Sequence, residues 1–377
     1  MVLIHIPSQK IYLIVPSILA TSDWHLGVPF GNAQSAAIVF SNQQFITAEK
    51  IVAVANESRV NAVFILGDMF DSDRIGESVL HRTREVLRQS ESPVFILPGN
   101  HDWWHTGGSL WSFRRLLRPE DDIHIILEPE PFVLDTLSGV TFFPCPCLES
   151  AQLADPSHQI RERTDDDGIR VGLLHGSLGA APIGIIPINV QVDRDLDFVL
   201  LGDWHNPDSG PGGSTLYCGS PEALGFDEEH RGRVLLLNFT DDGPEPQSRE
   251  VGQMFWRRIE EELEPEEEGG LGCSQLREKL DSIDSPKELT AIRLHVRGSL
   301  SATELDELTQ IIDGHREYGW AEFDTENVDV QELQQSGMDW VTDDLSKVVS
   351  SILESDEDDI VKRRALRLLQ NRLEAMN

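Results

Sequence analysis

Lysine is scarce in this chain, occurring only at positions 10, 50, 279, 287, 347 and 362 of 377 residues. Arginine brings the basic total to 31 against 65 acidic residues, a formal net charge of −34. Recognition of nucleic acid by a generally basic surface is therefore excluded, because each phosphate contact needs a cation. The charge does not exclude a DNA substrate altogether. An acidic, lysine-poor surface also suits a salt-rich cytosol, where repulsion is screened within about 3 Å at 1 M salt. Cysteine is scarce too, with four in all, and Cys145 and Cys147 lie too close in sequence to pair with each other. A disulfide framework is thus excluded, the pair reads as plain core, and cytoplasm is the expected compartment. No apolar run approaches the roughly 20 residues needed to cross a bilayer. The first sixteen residues hold Pro7, Gln9 and Lys10 and lack a basic leader, so they read as an extra strand or an over-long start, not a signal peptide. Internal repeats and low-complexity tracts are absent.

What is present reads as a soluble α/β protein, 40% hydrophobic and 25% charged. Residues 17 to about 240 alternate apolar strand-like runs with helical patterns over 45–57 and 76–89, the mark of a layered α/β domain. Further strands are expected at 133–134, 140–143 and 234–239. The segment 241–246 reads as the end of this region, and the acidic stretch 260–270 as exposed linker. A smaller α+β unit follows. Ile292, Leu294 and Val296 alternate as in a half-buried strand, and Ser301 with Glu304 forms a capping box for a helix carrying Leu305, Leu308 and Ile312. The tail holds two helices split at 355–359. In the second, Val361, Ala365, Leu368, Leu369, Leu373 and Met376 form an apolar stripe beside five basic residues. The expected domains are 1–250, 251–335 and 336–377.

Five polar clusters punctuate the first region: Asp23-x-His25, Gly67-Asp68, Gly99-Asn100-His101-Asp102, His175-Gly176 and Gly202-Asp203-Trp204-His205. Each follows an apolar run, so strand ends converging on one sheet edge would gather carboxylates, imidazoles and an amide into a single cleft. Asp23 and His25 fall on the same side of an extended segment, as two ligands of one ion require. Oxygen and nitrogen donors in this mixture suit two divalent ions, and two such ions suit cleavage of a phosphate ester. The other histidines, His81, His105, His124 and His230, read as surface or loop residues. Trp103-Trp104-His105 reads either as a plug for the cleft rim or as a platform for an unpaired base.

The order of these motifs resembles the calcineurin-like metallophosphoesterase superfamily. Within it, Ser22 to Gly27, Gly67 to Asp71 and Tyr217 to Glu222 most resemble the SbcD/Mre11 DNA double-strand-break repair nucleases. The likeness is specific over 17 to about 226 and loose over 250–330, where the family has a small capping domain. It implies a layered β-sandwich flanked by helices, with that α+β cap and C-terminal helices. It further implies one metal held by Asp23, His25, Asp68 and His205, and a second held by Asp68, Asn100, His175 and Asp203, with Asp68 bridging. His101 would stabilise the phosphate or protonate the leaving oxygen, Asp102 would orient His101, and Asp71 would support. The main departure from the pattern is Asp203, where the superfamily usually carries histidine. The ligand mixture favours Mn²⁺ over Mg²⁺. The implied partners are DNA (ends, single strands or hairpins) and an SbcC/Rad50-like ATPase docked by residues 343–377; a homodimer stays open and no membrane is expected. The alternatives are a phosphoesterase acting on a small phosphomonoester or cyclic nucleotide, and a metal-free scaffold for the ATPase.

Overall fold

The computed structural model describes residues 15–30, 35–149, 154–179, 186–264, 272–330 and 346–353, less the single positions 207, 211, 229, 301, 316 and 317, with a few isolated positions beyond 353. The chain divides into two compact units, 1–256 and 257–377.

The first unit is built on two sheets. One joins β1 (Ser17–Thr21), β2 (Ala62–Leu66), β3 (Val94–Leu97) and β4 (Ile123–Ile125) in parallel. The second contains β5 (Phe132–Val133), β6 (Val140–Cys145), β7 (Ile169–His175), β8 (Phe198–Gly202) and β9 (Thr215–Tyr217), parallel except for β5. On the far side of β1, the first sheet adds β10 (Arg233–Thr240) and β11 (Gly243–Glu250), each antiparallel to its neighbour. Strand periodicity decides which face each residue covers. Ile18, Ala20, Phe64 and Leu66 turn inward to meet Phe142, Val171, Leu173 and Leu200 of the second sheet. Leu19, Val63, Ile65 and Ile96 turn the other way, onto the helical layer. That layer holds α1 (Ser35–Ser58), α2 (Glu77–Leu87) and α3 (Ser109–Arg114). The outer face of the second sheet packs Leu174, Val199 and Leu201 against Val190 of the short helix α4 (Val190–Asp193) and against Ile186 and Leu196. Because both faces are covered, β1, β2 and β8 are buried along their whole length.

A three-stranded sheet is formed by β12 (Phe255–Leu263), which enters the second unit at Arg257, with β13 (Thr290–Leu300) and β14 (Trp320–Val330). Leu276 and Leu280 of α5 (Cys273–Asp281), with Leu305, Leu308 and Ile311 of α6 (Ala302–Gly314), bury Ile292, Leu294 and Val296. The opposite face carries paired charges: Arg293–Glu322 at 2.9 Å, His295–Asp324 at 3.1 Å and Arg297–Glu262 at 3.1 Å. A last described helix, α7, spans Ser346–Leu353.

Several expectations are corrected. The region does not end at 241–246, because Gly243 turns the chain into β11, an exposed edge strand. The stretch from 260 is not linker as far as Leu263, since it completes β12; residues 265–271 lie outside the described residues. The first helix starts at Ser35, ten residues before the expected position. Ser301 of the capping box, residues 1–14 and most of the tail stripe also lie outside the described residues. Among the described residues no helix is long and apolar enough to cross a membrane. Cys145 and Cys147 are buried, as the core reading expects.

Candidate metal centre

All five polar clusters stand at or just beyond the carboxyl ends of parallel strands, where an α/β sheet leaves room for a ligand. Asp23 and His25 follow β1, Asp68 follows β2, Asn100 to Asp102 follow β3, His175 ends β7, and Asp203 to His205 follow β8. The backbone there is forced: Asp23, His25, Asp68 and Asp203 have φ of 54°, 44°, 51° and 96°. Left-handed backbone at a residue other than glycine costs about 1–3 kcal/mol, so the surrounding packing must impose it. Glycines supply that packing. A Cβ on Gly99 would lie 2.1 Å from Asp68 Oδ1, and one on Gly202 would lie 2.1 Å from the Leu66 carbonyl oxygen and 2.7 Å from His175 Nδ1.

The donor atoms converge. Three groups each offer one donor atom per residue, all within 4.8 Å of one another: Asp23/His25/His205, Asp23/Asp68/His175 and His25/Asp71/His101. Asp68 Oδ2 stands between two imidazoles, 3.8 Å from His25 Nε2 and 3.4 Å from His175 Nε2. His25 Nε2 and His205 Nε2 face each other at 3.1 Å. Asn100 Oδ1 lies 2.7 Å from His175 Nε2. Asp203 stands further out, with Oδ1 3.9 Å from His175 Nε2, while Oδ2 accepts the Ser177 hydroxyl. The Asp203 N–H donates to Asp23 Oδ1 at 3.0 Å, which ties the last cluster to the first.

The hydrogen bonds behind these side chains fit a cation. His175 Nδ1–H donates to the Leu66 carbonyl at 2.8 Å, His205 Nδ1–H to Glu228 Oε1 at 2.7 Å, and His101 Nδ1–H to the Asp71 carbonyl at 2.7 Å. With Nδ1 so occupied, Nε2 of His175 and of His205 presents a lone pair to the cleft. A lone pair facing the Asn100 carbonyl oxygen, or a second imidazole lone pair, is stable only with positive charge between them. Burial alone would lower the pKa of His175 and His205. Asp68 outweighs it at His175, and the Glu228 hydrogen bond with the Asp23 charge lifts His205 to about 9. An electrostatic demand that draws protons to these rings also suits divalent ions. Burial is opposed at Asp68 by the charge of His175, which holds that carboxyl far below the usual range.

Two expectations about the site are corrected. The first is the extended segment through Asp23 and His25, whose backbone is left-handed. The second is the role of Asp102, which does not orient His101. Its two oxygens accept the Gly99 N–H at 2.8 Å and the Phe70 N–H at 3.1 Å, so it braces the backbone of two ligand loops. Burial and the Asp68 charge raise its pKa to about 6. The His101 ring rests instead on the Asp71 carbonyl, exposed, and edge-on to His25 at 4.7 Å. Two residues were missed. Glu228 sits in an acidic run with no distinguishing pattern. Ser177, two residues after His175, did carry a signal, since a hydroxyl beside a carboxylate in a ligand's place can donate to it. Glu222 of the Tyr217–Glu222 segment is buried, accepting Thr47 Oγ1–H at 2.5 Å and the N–H groups of Gln253 and Met254 at 2.9 and 2.8 Å. Trp104 packs on the core beneath Arg114, whereas Trp103 stacks on His105 at 4.1 Å.

A layered α/β fold with two packed sheets, whose strand ends hold an Asp/His/Asn donor field, defines a metal-dependent hydrolase class. The chain belongs to the calcineurin-like phosphoesterase family, whose model matches residues 16–207; members use divalent metals. It is similar to the DNA double-strand break repair protein Mre11 of Halobacterium salinarum, with 25% identity over 234 residues, 60% of this chain and 57% of that protein. The chain thus spans little more than half the length of that curated relative. Among solved structures, a dimetal phosphatase from Danio rerio aligns at 10% identity and a TM-score of 0.39, covering 63% of this chain and 99% of that one. The calcineurin-like phosphoesterase YfkN from Bacillus subtilis aligns at 11% and 0.35, covering 63% and 90%.

Proposed function

We propose that this chain is a Mn²⁺-dependent DNA phosphodiesterase, the nuclease subunit of a cytoplasmic double-strand-break repair complex with an SbcC/Rad50-like ATPase. The observation that carries the reading is the single cleft in which Asp23, His25, Asp68, Asn100, His175 and His205 meet, with the exposed His101 beside it. Its position in that cleft, together with the likeness to a DNA double-strand break repair protein, supports a nuclease role. Asp23, His25, Asp68 and His205 would hold one ion, and Asp68, Asn100, His175 and Asp203 a second. When bound, such ions supply Lewis acidity toward the phosphoryl oxygens. The protein's own groups do the rest. Asp71 fixes the His101 ring through its carbonyl, and His101 Nε2 would stabilise the phosphate or, with the ring carrying a proton on both nitrogens, protonate the leaving oxygen. Asp102 keeps the loops carrying Asp68 and Asn100 in register. The second unit would act as the cap over DNA, residues 336–377 would form the partner-binding tail, and Trp103 would offer a ring to an unpaired base.

A second reading, a phosphoesterase of small substrates, is favoured by the net charge of −34 and by the charge-paired open face of the second unit. The purified chain with Mn²⁺ should cleave a short single-stranded or hairpin DNA. Hydrolysis of bis-p-nitrophenyl phosphate with the DNA left intact would overturn the nuclease and support the second reading.

Asp203 permits a separate test. If it is a ligand, Asp203→Ala should bind one Mn²⁺ normally and the other at least about tenfold more weakly, the scale seen when a metal site is disturbed. Two ions bound by the variant with wild-type affinity in a calorimetric titration would show that it is none.

A further inference from the structure

We propose that Glu228 is a positioning residue for the metal centre, holding His205 in the tautomer whose Nε2 lone pair enters the cleft. The inference rests on the reading of His205 as a ligand. Three hydrogen bonds close a circuit around this residue. His205 Nδ1–H donates to Glu228 Oε1 at 2.7 Å, Ser220 Oγ–H to Glu228 Oε2 at 3.2 Å, and Ser220 N–H to the His205 carbonyl at 2.9 Å. The Leu224 N–H adds a second donor to Oε2 at 3.0 Å. The carboxylate is thereby oriented from behind, with one oxygen fixed by the loop and the other free to accept from the imidazole. His175 relies on a main-chain carbonyl for the same purpose. His205 lies beyond the end of β8, and there the Glu228 carboxylate takes the place that a main-chain carbonyl has at His175. Carboxylate–imidazole pairs of this kind hold the ring and its proton, and their loss typically lowers metal affinity about 10–100-fold.

Glutamine at this position separates positioning from scaffolding. Two donors, Leu224 N–H and Ser220 Oγ–H, meet Oε2, so the amide of a Glu228→Gln variant would turn its oxygen toward them. Its NH₂ would then face His205 Nδ1 and drive the ring proton to Nε2, where the lone pair is required. Alanine removes the same charge but imposes no tautomer, and it also releases the loop. Mn²⁺ titration of the full chain by calorimetry, with thermal melting of each metal-free protein, reads both effects. Expected are an affinity loss of about 10–100-fold for Glu228→Gln with an unchanged melting temperature, and a smaller affinity loss with a lowered melting temperature for Glu228→Ala. Wild-type affinity in the glutamine variant, or a greater loss in alanine than in glutamine, would overturn the proposal. His205→Ala decides the underlying reading. If it binds Mn²⁺ as the wild type does, His205 is no ligand and the proposal falls with it. If it binds weakly while Glu228→Gln binds normally, only the role of Glu228 is lost.

Discussion

His101→Ala is expected to lose about 10²–10⁴-fold in turnover, the range for removing a proton donor or transition-state contact, while its metal content stays that of the wild type. The two effects separate because the residue contributes to the site in two ways. Its backbone N–H donates to Asp68 Oδ1 at 2.8 Å, and alanine keeps that bond. Its ring touches the Asp71 carbonyl and the edge of His25, and alanine removes both contacts without disturbing a donor atom assigned to an ion. Asp68→Ala is the control, because Asp68 Oδ2 lies between the His25 and His175 nitrogens and its loss should empty the centre. Metal content by mass spectrometry, alongside turnover of a phosphodiester substrate, makes the comparison. A His101→Ala protein as metal-poor as Asp68→Ala would make His101 a ligand and remove it from the proton-transfer role.

Asp167→Ala should destabilise the first unit by about 3–5 kcal/mol at pH 7, the range for removing one partner of a buried ion pair. Arg170 is fully buried, with its guanidinium 4.2 Å above the Phe143 ring. It donates to Asp167 at 2.6 Å and to the carbonyl oxygens of Arg161 and Arg194 at 2.8 and 3.2 Å. Without Asp167, that charge keeps the two carbonyl oxygens and the Phe143 ring but loses the carboxylate paired with it. The Arg161 hydrogen bond holds the Asp167 carboxyl well below the usual carboxylate range, against the effect of burial. A depressed folded pKa means that the stabilisation is complete above the unfolded value of about 4 and disappears as pH falls through the folded value. The gap between wild type and variant in urea denaturation should therefore be full at pH 7 and narrow only in strong acid. A difference under about 1 kcal/mol at pH 7, the scale of an exposed pair, would show that the ion pair contributes little.

How far the fold could be read ahead of the structure depended on burial. β1, β2 and β8 are apolar without interruption because both of their faces are covered, and such runs are plain in sequence. β11 was invisible for the opposite reason. It is exposed along most of its length and carries Pro244, Pro246 and charged residues, which guard an edge strand but resemble a loop. β12 was hidden by its acidic run, in which Glu260 and Glu262 are exposed, although Ile259 and Leu263 bury its inner face. At the site, the residues placed together were those whose chemistry had no packing purpose. Asp102 was placed correctly and given the wrong partner, because its partners are main-chain N–H groups that no side-chain pattern reveals. Glu228 was missed because its meaning comes from a ring 23 residues away in sequence.

The left-handed backbone at Asp23, His25, Asp68 and Asp203 bears on how this chain can evolve. At each of the four positions the most comfortable residue is glycine, so the acidic and imidazole side chains persist there against a standing pressure toward replacement. Selection for activity is the force that opposes it. A copy of this gene relieved of that duty should drift to glycine at these four positions early, becoming sturdier as it becomes inert. Intact Asp and His on unfavourable backbone therefore serve as a marker of working relatives, more discriminating than the apolar strands that any descendant must keep in order to fold.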